Sequence, residues 1–311
     1  MEIYRNIDEI KKDNSTVISV GTFDGVHLAH KQVLDKVIEL AANKHSRSFI
    51  VTFDPHPQEV LKNKTPEIKL LTTTDEKLRL FQEIGIDNVL VIKFTENFSK
   101  TTAREFYENL LYAKIGLCDL VVGYDHGFGR NREGDFQMLV SMGKEFGFSV
   151  HRVEEIDIND TKVSSTNIRH LLLEGDIEKA NSLLGYKYSF DAKVIEGDKM
   201  GRELGFPTAN LEPVAENKVI PLNGVYAVYV VYKGIEYKGM MNIGYRPTVR
   251  EDSERVIEVN ILEFAGDIYG ENLIVKFTGR VRDELKFGSK DELIEQIKID
   301  RKNVLKILNN K

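Results

Sequence analysis

From residue 15 to about residue 153, short runs of consecutive apolar residues alternate with stretches whose apolar positions recur at helical spacing. Residues 17–20 are followed by Val33, Leu34, Val37, Ile38 and Ala41, and then by the run 49–53. The alternation returns as 78–84 before 89–92, 106–111 before 120–122, and 136–146 before 149–153. Runs apolar at every position suit strands covered on both faces, and helices between such strands make the crossovers right-handed. The first part of the chain is therefore expected to form an α/β domain with a doubly wound parallel sheet.

Past Gly185 the rhythm changes. Strand-like segments at 190–195, 225–232, 237–242, 256–262 and 273–277 follow one another without helices, separated by Gly224, Lys233-Gly234 and Gly266-Asp267. That pattern predicts a small antiparallel β-barrel. A C-terminal helix is signalled by Ser289 with Glu292 three residues on, then by Leu293, Ile294, Ile297, Val304, Leu305 and Leu308 on one face. The 311 residues exceed what one core usually supports, so two domains are expected, 1–185 and 186–311, with the join between Asp176 and Tyr188.

With 41% hydrophobic and 30% charged residues, the composition is that of a soluble globular chain. No apolar run approaches the ~20 residues of a spanning helix. Residues 1–14 are charged throughout and do not read as a secretory signal. The expected location is cytoplasmic, with no membrane partner. The net charge of −6 falls wholly within residues 1–185, while 186–311 balance, so neither half is a basic module and no nucleic-acid partner is expected. The single cysteine, Cys118, has no thiol to pair with and is read as a buried, inert thiol in an apolar strand. Nothing points to a protein partner.

Two motifs in the first half carry chemistry. Gly21-Thr22-Phe23-Asp24-Gly25-Val26-His27-Leu28-Ala29-His30 leaves the first strand and enters the first helix. In open parallel sheets ligands bind at the carboxyl ends of strands, where a helix N-terminus offers free N–H groups to phosphate. Two histidines three apart lie on one face of a helical turn and can both donate to phosphate oxygens. The second motif, Ser164-Ser165-Thr166-Asn167-Ile168-Arg169, opens another helix, either as a simple cap or as a second phosphate clamp. The chain has no P-loop, since Gly143-Lys144 is followed by Glu145, and it lacks the dinucleotide fingerprint. In the second half, residues 197–210 are rich in glycine and end in Pro207-Thr208-Ala209-Asn210, the composition of a mobile loop over phosphate or of an ordinary hairpin loop. On the run 256–262, Glu258 and Asn260 share one strand face, and a positioned carboxylate can take a proton from an alcohol.

The first half resembles the nucleotidylyltransferase superfamily and, more narrowly, the amino-terminal module of bacterial bifunctional riboflavin kinase/FMN adenylyltransferases, also called FAD synthetases. The resemblance rests on residues 21–30, on Phe53-Asp54-Pro55-His56-Pro57, on 123–129 with Arg132 and Gly134, and on 164–169. The second half resembles the riboflavin kinase barrel through 201–210, Asn242-Ile243-Gly244 with Pro247-Thr248, 258–262, and Arg282-x-Glu284-x-Lys286-Phe287. Ala29, Gly127 and Asn260 depart from the glycine, arginine and histidine usual in the family.

The resemblance implies formation of FMN from riboflavin and ATP, then of FAD and pyrophosphate from FMN and ATP, with Mg2+ required for both. It implies His27 and His30 as transition-state donors, with no general base because the FMN phosphate is already anionic. Gly21, Thr22, Phe23, Asp24, Gly25, Ser164, Ser165, Thr166 and Arg169 would bind phosphate in that half. In the other half Glu258 would be the base, Gly201, Arg202, Gly205, Pro207, Thr208 and Asn210 would hold ATP, and Thr208 and Asn210 would ligate the metal. Flavin contacts would come from Phe53, Asp54, Pro55, His56, Pro57, Asp125, Phe128, Gly129, Arg282 and Phe287. Phe128, Tyr226 and Phe287 are candidates to stack on the flavin ring as readily as to pack in a core. The alternatives are a chain that retains one activity only, motivated by the three departures, or a flavin-sensing regulator without turnover.

Overall fold

A computed structural model describes residues 1–61, 68–124, 127, 129, 134–197, 205–245 and 255–310. The chain divides into two compact units, Met1–Ser164 and Ser165–Lys311.

In the first unit six parallel strands form one sheet: β1 (Glu2–Tyr4), β2 (Thr16–Val20), β3 (Arg47–Asp54), β4 (Asn88–Lys93), β5 (Leu117–Val122) and β6 (Ser149–Arg152). Their order is β1-β4-β3-β2-β5-β6. The helices are α1 (Leu28–Asn43), α2 (Pro57–Val60), α3 (Thr74–Ile84), α4 (Ala103–Glu105) and α5 (Phe136–Phe146). β2 is buried at every position, as its unbroken apolar run requires of a central strand. Its residues alternate between two cores: Ile18 and Val20 pack with Phe49, Phe106 and Leu139, while Val17 packs with Val33, Leu34, Val37 and Phe81. Strand order turns back between β2 and β5, which makes the carboxyl ends of these two strands the switch point where open α/β sheets bind ligands.

Two features of this unit lay outside the sequence pattern. The edge strand β1 is too short and polar to show as a run. Residues 106–115 continue from α4 as a π-helix, Phe106–Ile115, rather than an α-helix over 106–111. Cys118 on β5 is half-buried rather than fully buried. It is nevertheless inert: burial and the adjoining Asp119 carboxylate, 3.0 Å from Sγ, push its thiol up to about 12.

The second unit begins with α6 (Ser165–Glu174) and α7 (Ile177–Leu184). Six antiparallel strands then close into a barrel: β9 (Ser189–Ile195), β10 (Ala209–Pro213), β11 (Gly224–Tyr232), β12 (Ile235–Tyr245), β13 (Arg255–Ile261) and β14 (Asn272–Arg282), ordered β10-β13-β12-β11-β14-β9. The short hairpin β7 (Asp157–Ile158) and β8 (Thr161–Lys162) belongs to the first unit. α7 is tied to the barrel because Asn181 Nδ2 donates to the Phe277 carbonyl at 3.0 Å and its Oδ1 accepts from the Tyr188 N–H at 2.7 Å. The rhythm change at Gly185 thus marks where strands begin, whereas compactness groups α6 and α7 with the strands they pack on. β10 escaped the sequence pattern because Asn210, Glu212 and Pro213 leave Leu211 as its one large apolar residue. The final helix, α8 (Lys290–Asn309), is capped by Ser289 and buries Val304 and Leu308 against Ala227 and Leu262 on the outside of the barrel.

Candidate functional sites

The first site grows from the end of β2. Asp24, buried at 2% exposure, accepts from the N–H groups of Leu71 (3.0 Å) and Thr72 (2.9 Å) and from the Thr72 hydroxyl (3.3 Å). That hydroxyl in turn accepts from the Gly25 N–H at 2.9 Å. An anionic side chain with these acceptor sites filled shapes the turn; its oxygens are not donors to phosphate. Phe23 stands at φ +49, in the left-handed region, and its ring packs edge-on against His30 and Phe81. Gly21, Thr22 and Gly25 complete the turn into α1.

His27 is the N-cap of α1, and its Nδ1 accepts from the His30 N–H at 3.3 Å. This places the His27 proton on Nε2 and fixes that atom as a donor. The two imidazoles stack, with ring centroids 3.6 Å apart. Burial, with His27 and Lys77 beside it, pushes the His30 pKa well below its usual value, so the ring is neutral at pH 7. Its Nδ1 is buried without a hydrogen-bond partner. The structure thus brings His27 and His30 together at the switch point as hydrogen-bonding groups rather than as cations.

Lys77 had no signal in the sequence beyond a helical position. It lies on α3 at 5% exposure, and its ammonium donates to the Thr22 carbonyl (2.8 Å) and to Thr52 Oγ1 (3.2 Å). A buried lysine at the end of a strand is visible only once α3 is packed against the turn.

The expected flavin contacts of this unit fall in several places. Phe53 is buried at 4% with its ring against Phe94 and Phe98, a core position with no free face for a flavin. His56 caps α2, its Nδ1 accepting from the Gln58 N–H at 3.2 Å, beside Pro57 at the first helical turn. Asp54 is exposed and joins Pro55 through a cis peptide. Gly129 abuts the start of α4, where a Cβ would lie 2.5 Å from the Ala103 nitrogen. Asp125, Phe128 and Arg132 lie outside the described residues, as do Gly201 and Arg202 of the second site. Ser164 ends the first unit, and Ser165, Thr166 and Arg169 stand on the first turns of α6 at the start of the second.

The second site lies on the barrel. Asn210 on β10 is directly opposite Glu258 on β13, and Glu258 is directly opposite Asn242 on β12. Opposite residues share a sheet face with Cβ atoms about 5 Å apart, so a carboxylate stands between two carboxamides. The alternate residues Leu211, Val259, Met241 and Ile243 point into the barrel core, which places the polar row on the outside. Asn242 is a member of this row that spacing along one strand could not reveal. Asn260 donates to the Pro207 carbonyl at 2.6 Å, giving the family's departing residue a tie to the polar step.

Asn210 is buried at 6%, and its Oδ1 has no hydrogen-bond partner. A carboxamide oxygen is a ligand suited to Mg2+, and the Thr208 hydroxyl two residues away is another. The orphaned oxygen therefore fits the expected metal. Gly197 holds it in place: a Cβ there would lie 1.9 Å from Asn210 Nδ2, although the Gly197 backbone itself is of a kind any residue adopts. A cavity of about 610 Å³ opens beside this step, lined by Val194, Pro207, Thr208, Val259, Ile261 and Phe264 among others. Gly205, at φ +82, is exposed with open space around it.

Arg282 is committed elsewhere. Its Nε and Nη2 grip the buried Asp300 carboxylate at 2.7–3.0 Å and its Nη1 donates to the Asp283 carbonyl at 2.7 Å, tying β14 to α8. Phe287 packs beneath the guanidinium at 5.9 Å. Tyr226 is core, edge-on to Phe277 with its hydroxyl on the Leu222 carbonyl.

The comparisons with known proteins follow the two units. Residues 9–167 match the family model described as FAD synthetase, and residues 184–308 match the one described as riboflavin kinase. The chain is 39% identical to the bifunctional riboflavin kinase/FMN adenylyltransferase of Listeria monocytogenes over 94% of this chain and 92% of that one. It is 35% identical to the Escherichia coli K12 protein of the same description over 96% of each. A crystal structure from Streptococcus pneumoniae, described as a macrolide-efflux protein, superposes with a TM-score of 0.87 at 29% identity, covering 96% of this chain and 97% of that one. Among the described residues no helix is long and apolar enough to cross a membrane.

The Asp24 anchor makes a stability prediction. Asp24→Ala strands buried N–H groups and should cost about 2–4 kcal/mol, read as an earlier transition in denaturant unfolding. Asp24→Asn, which keeps one acceptor oxygen, should lose less; equal losses would show that the turn is held by something other than these bonds.

Proposed function

The chain belongs to the family of bifunctional riboflavin kinase/FMN adenylyltransferases, and from that premise we propose how its own residues divide the two reactions. It is an enzyme that phosphorylates riboflavin to FMN in its C-terminal part and adenylylates FMN to FAD in its N-terminal part. Riboflavin, FMN and ATP are its substrates.

For adenylyl transfer, assigned to residues 1–185, the observation that carries the reading is the His27 cap. The FMN phosphate is already ionised at neutral pH, so the site must stabilise charge shifting toward pyrophosphate rather than remove a proton. His27 offers Nε2–H for this, and the neutral His30 ring stacked on it supplies a second donor without adding repulsion between cations. Ser164, Ser165, Thr166 and Arg169 are assigned to phosphate, and Pro55, His56, Pro57, Asp125, Phe128 and Gly129 to the flavin. Asp24 serves this site by holding the turn.

For phosphoryl transfer, assigned to residues 186–311, the carrying observation is the opposition of Asn210 and Glu258. The ribityl hydroxyl must lose a proton as it attacks the γ-phosphate, and Glu258 accepts it. Thr208 and Asn210 hold Mg2+, which when bound neutralises charge on the ATP phosphates. The adenine end of ATP enters the cavity beside Pro207, with Gly201, Arg202 and Gly205 over the phosphates. Phe287 flanks the flavin, and Arg282 braces the loop that carries it. We place both reactions in the cytoplasm, with small molecules as the partners.

Incubation of the full chain with riboflavin, Mg2+ and ATP, followed by separation of the flavins, should yield FAD. His27→Ala should stop at FMN, with FAD formation down about 100-fold or more. Glu258→Gln should make no FMN yet convert supplied FMN to FAD; parallel loss of both steps in either variant contradicts this division. Gly197→Ala should raise the Mg2+ concentration that half-saturates FMN formation. An unchanged Mg2+ dependence would remove Asn210 from the metal site.

A further inference from the structure

A buried charged group left without a task by these assignments is Lys77. Its ammonium is buried among neutral acceptors: Thr22 O at the end of β2 and Thr52 Oγ1 on β3. Thr52 Oγ1 itself lies 3.3 Å from Thr22 O, so three elements converge on one carbonyl. Asp24 in the turn, Asp54 at the end of β3 and Glu59 on α2 act on the ammonium from a distance, and the ammonium acts in turn on His30 of α1. Burial outweighs the three carboxylates and brings its pKa down to about 8.

We propose that Lys77 is a positioning residue for adenylyl transfer: it draws the Thr22 carbonyl inward, which turns the N–H of the same peptide outward to the nucleotide phosphates, above a fixed positive charge. In a trans peptide the C=O and N–H point in opposite directions, and among the described residues the one cis bond is Asp54-Pro55. The N–H so turned is that of Phe23, which has no protein acceptor among the described residues. Phe23 sits in the left-handed region that its side chain does not favour, and its ring abuts His30. Lys77 therefore fixes both the turn and, through Phe23, the imidazole whose Nδ1 is unpartnered. An anion arriving at the turn meets a nearby charge in a dry setting, where its effect is larger than in water.

The inference rests on the reading that this turn takes phosphate, and the experiment separates the two. In the full chain, FMN formation and FAD formation are assayed side by side for Lys77→Met, Thr52→Val and His27→Ala. Lys77→Met should lower kcat for FAD formation by about tenfold to a hundredfold, the rate equivalent of one charged hydrogen bond, with FMN formation unchanged. Thr52→Val should lose less. Phosphates are fully ionised above about pH 7, so wild-type FAD formation should decline as the ammonium loses its proton near pH 8, and Lys77→Met should lack that decline while Thr52→Val keeps it. FAD formation at the wild-type rate in Lys77→Met overturns the inference, as does a wild-type profile that stays flat from about pH 7 to 9.5; the profile decides the matter even if the variant does not fold. If Lys77→Met is silent while His27→Ala abolishes FAD, Lys77 alone is misassigned. If both are silent, the phosphate reading of the turn has failed.

Discussion

The turn at the carboxyl end of β2 is the constraint on which the proposed adenylyl-transfer site depends. β2 is central and fully buried, so its last residue is fixed in space, and the strand order reverses beside it. A backbone emerging there must become a helix without covering its own N–H groups. Two buried ionic side chains of opposite sign achieve this. Asp24 collects N–H groups from the segment before α3, and Lys77, on α3 itself, collects the Thr22 carbonyl. Asp24 ties the turn through its side chain to the segment before α3, Lys77 ties it through the Thr22 carbonyl to α3 itself, and His27 caps α1.

The barrel solves a different problem with a different device. Its polar row is set by register: once β10, β13 and β12 pair as they do, Asn210, Glu258 and Asn242 must face one another. In the proposed reading this register by itself sets the base Glu258 opposite the metal ligand Asn210. What must be protected is the orientation of one carboxamide, and the absence of a side chain at Gly197 protects it. Pro207, pinned by Asn260, then fixes the direction in which Thr208 leaves the step.

Much of this was legible in the sequence, and the boundary of legibility has physical causes. Consecutive apolar runs marked β2, β3, β4 and β5 because strands buried on both faces have no other composition available. The two histidines were legible because their spacing and position at a strand–helix junction are both local. Asp24 and Phe53 were read with their motifs as contacts to ligand, yet their neighbours Leu71, Thr72, Phe94 and Phe98 are distant in sequence and draw them into structural roles. Lys77 was missed, and Asn242 was read as part of a motif without a role, for the same reason: each acquires meaning from a partner on another element. Arg282 belongs with them, since nothing near it in sequence announces that Asp300, on the final helix, will take its guanidinium.

The two proposed sites divide charge in opposite ways, which favours keeping their central residues, His27 and Glu258, on separate units. Adenylyl transfer starts from an anionic nucleophile and needs donors; in the proposed reading they are His27 and a His30 ring kept neutral by burial, near a buried ammonium. A carboxylate base beside them would repel the incoming FMN phosphate and raise the ammonium's proton affinity. Phosphorylation of an alcohol needs that carboxylate, set against oxygen ligands for a cation. A single pocket containing both would hold the base as an ion pair with the lysine, leaving neither group for its reaction. Placing the donors at the switch point of a parallel sheet and the base on the face of a closed barrel lets each electrostatic environment be tuned without cancelling the other.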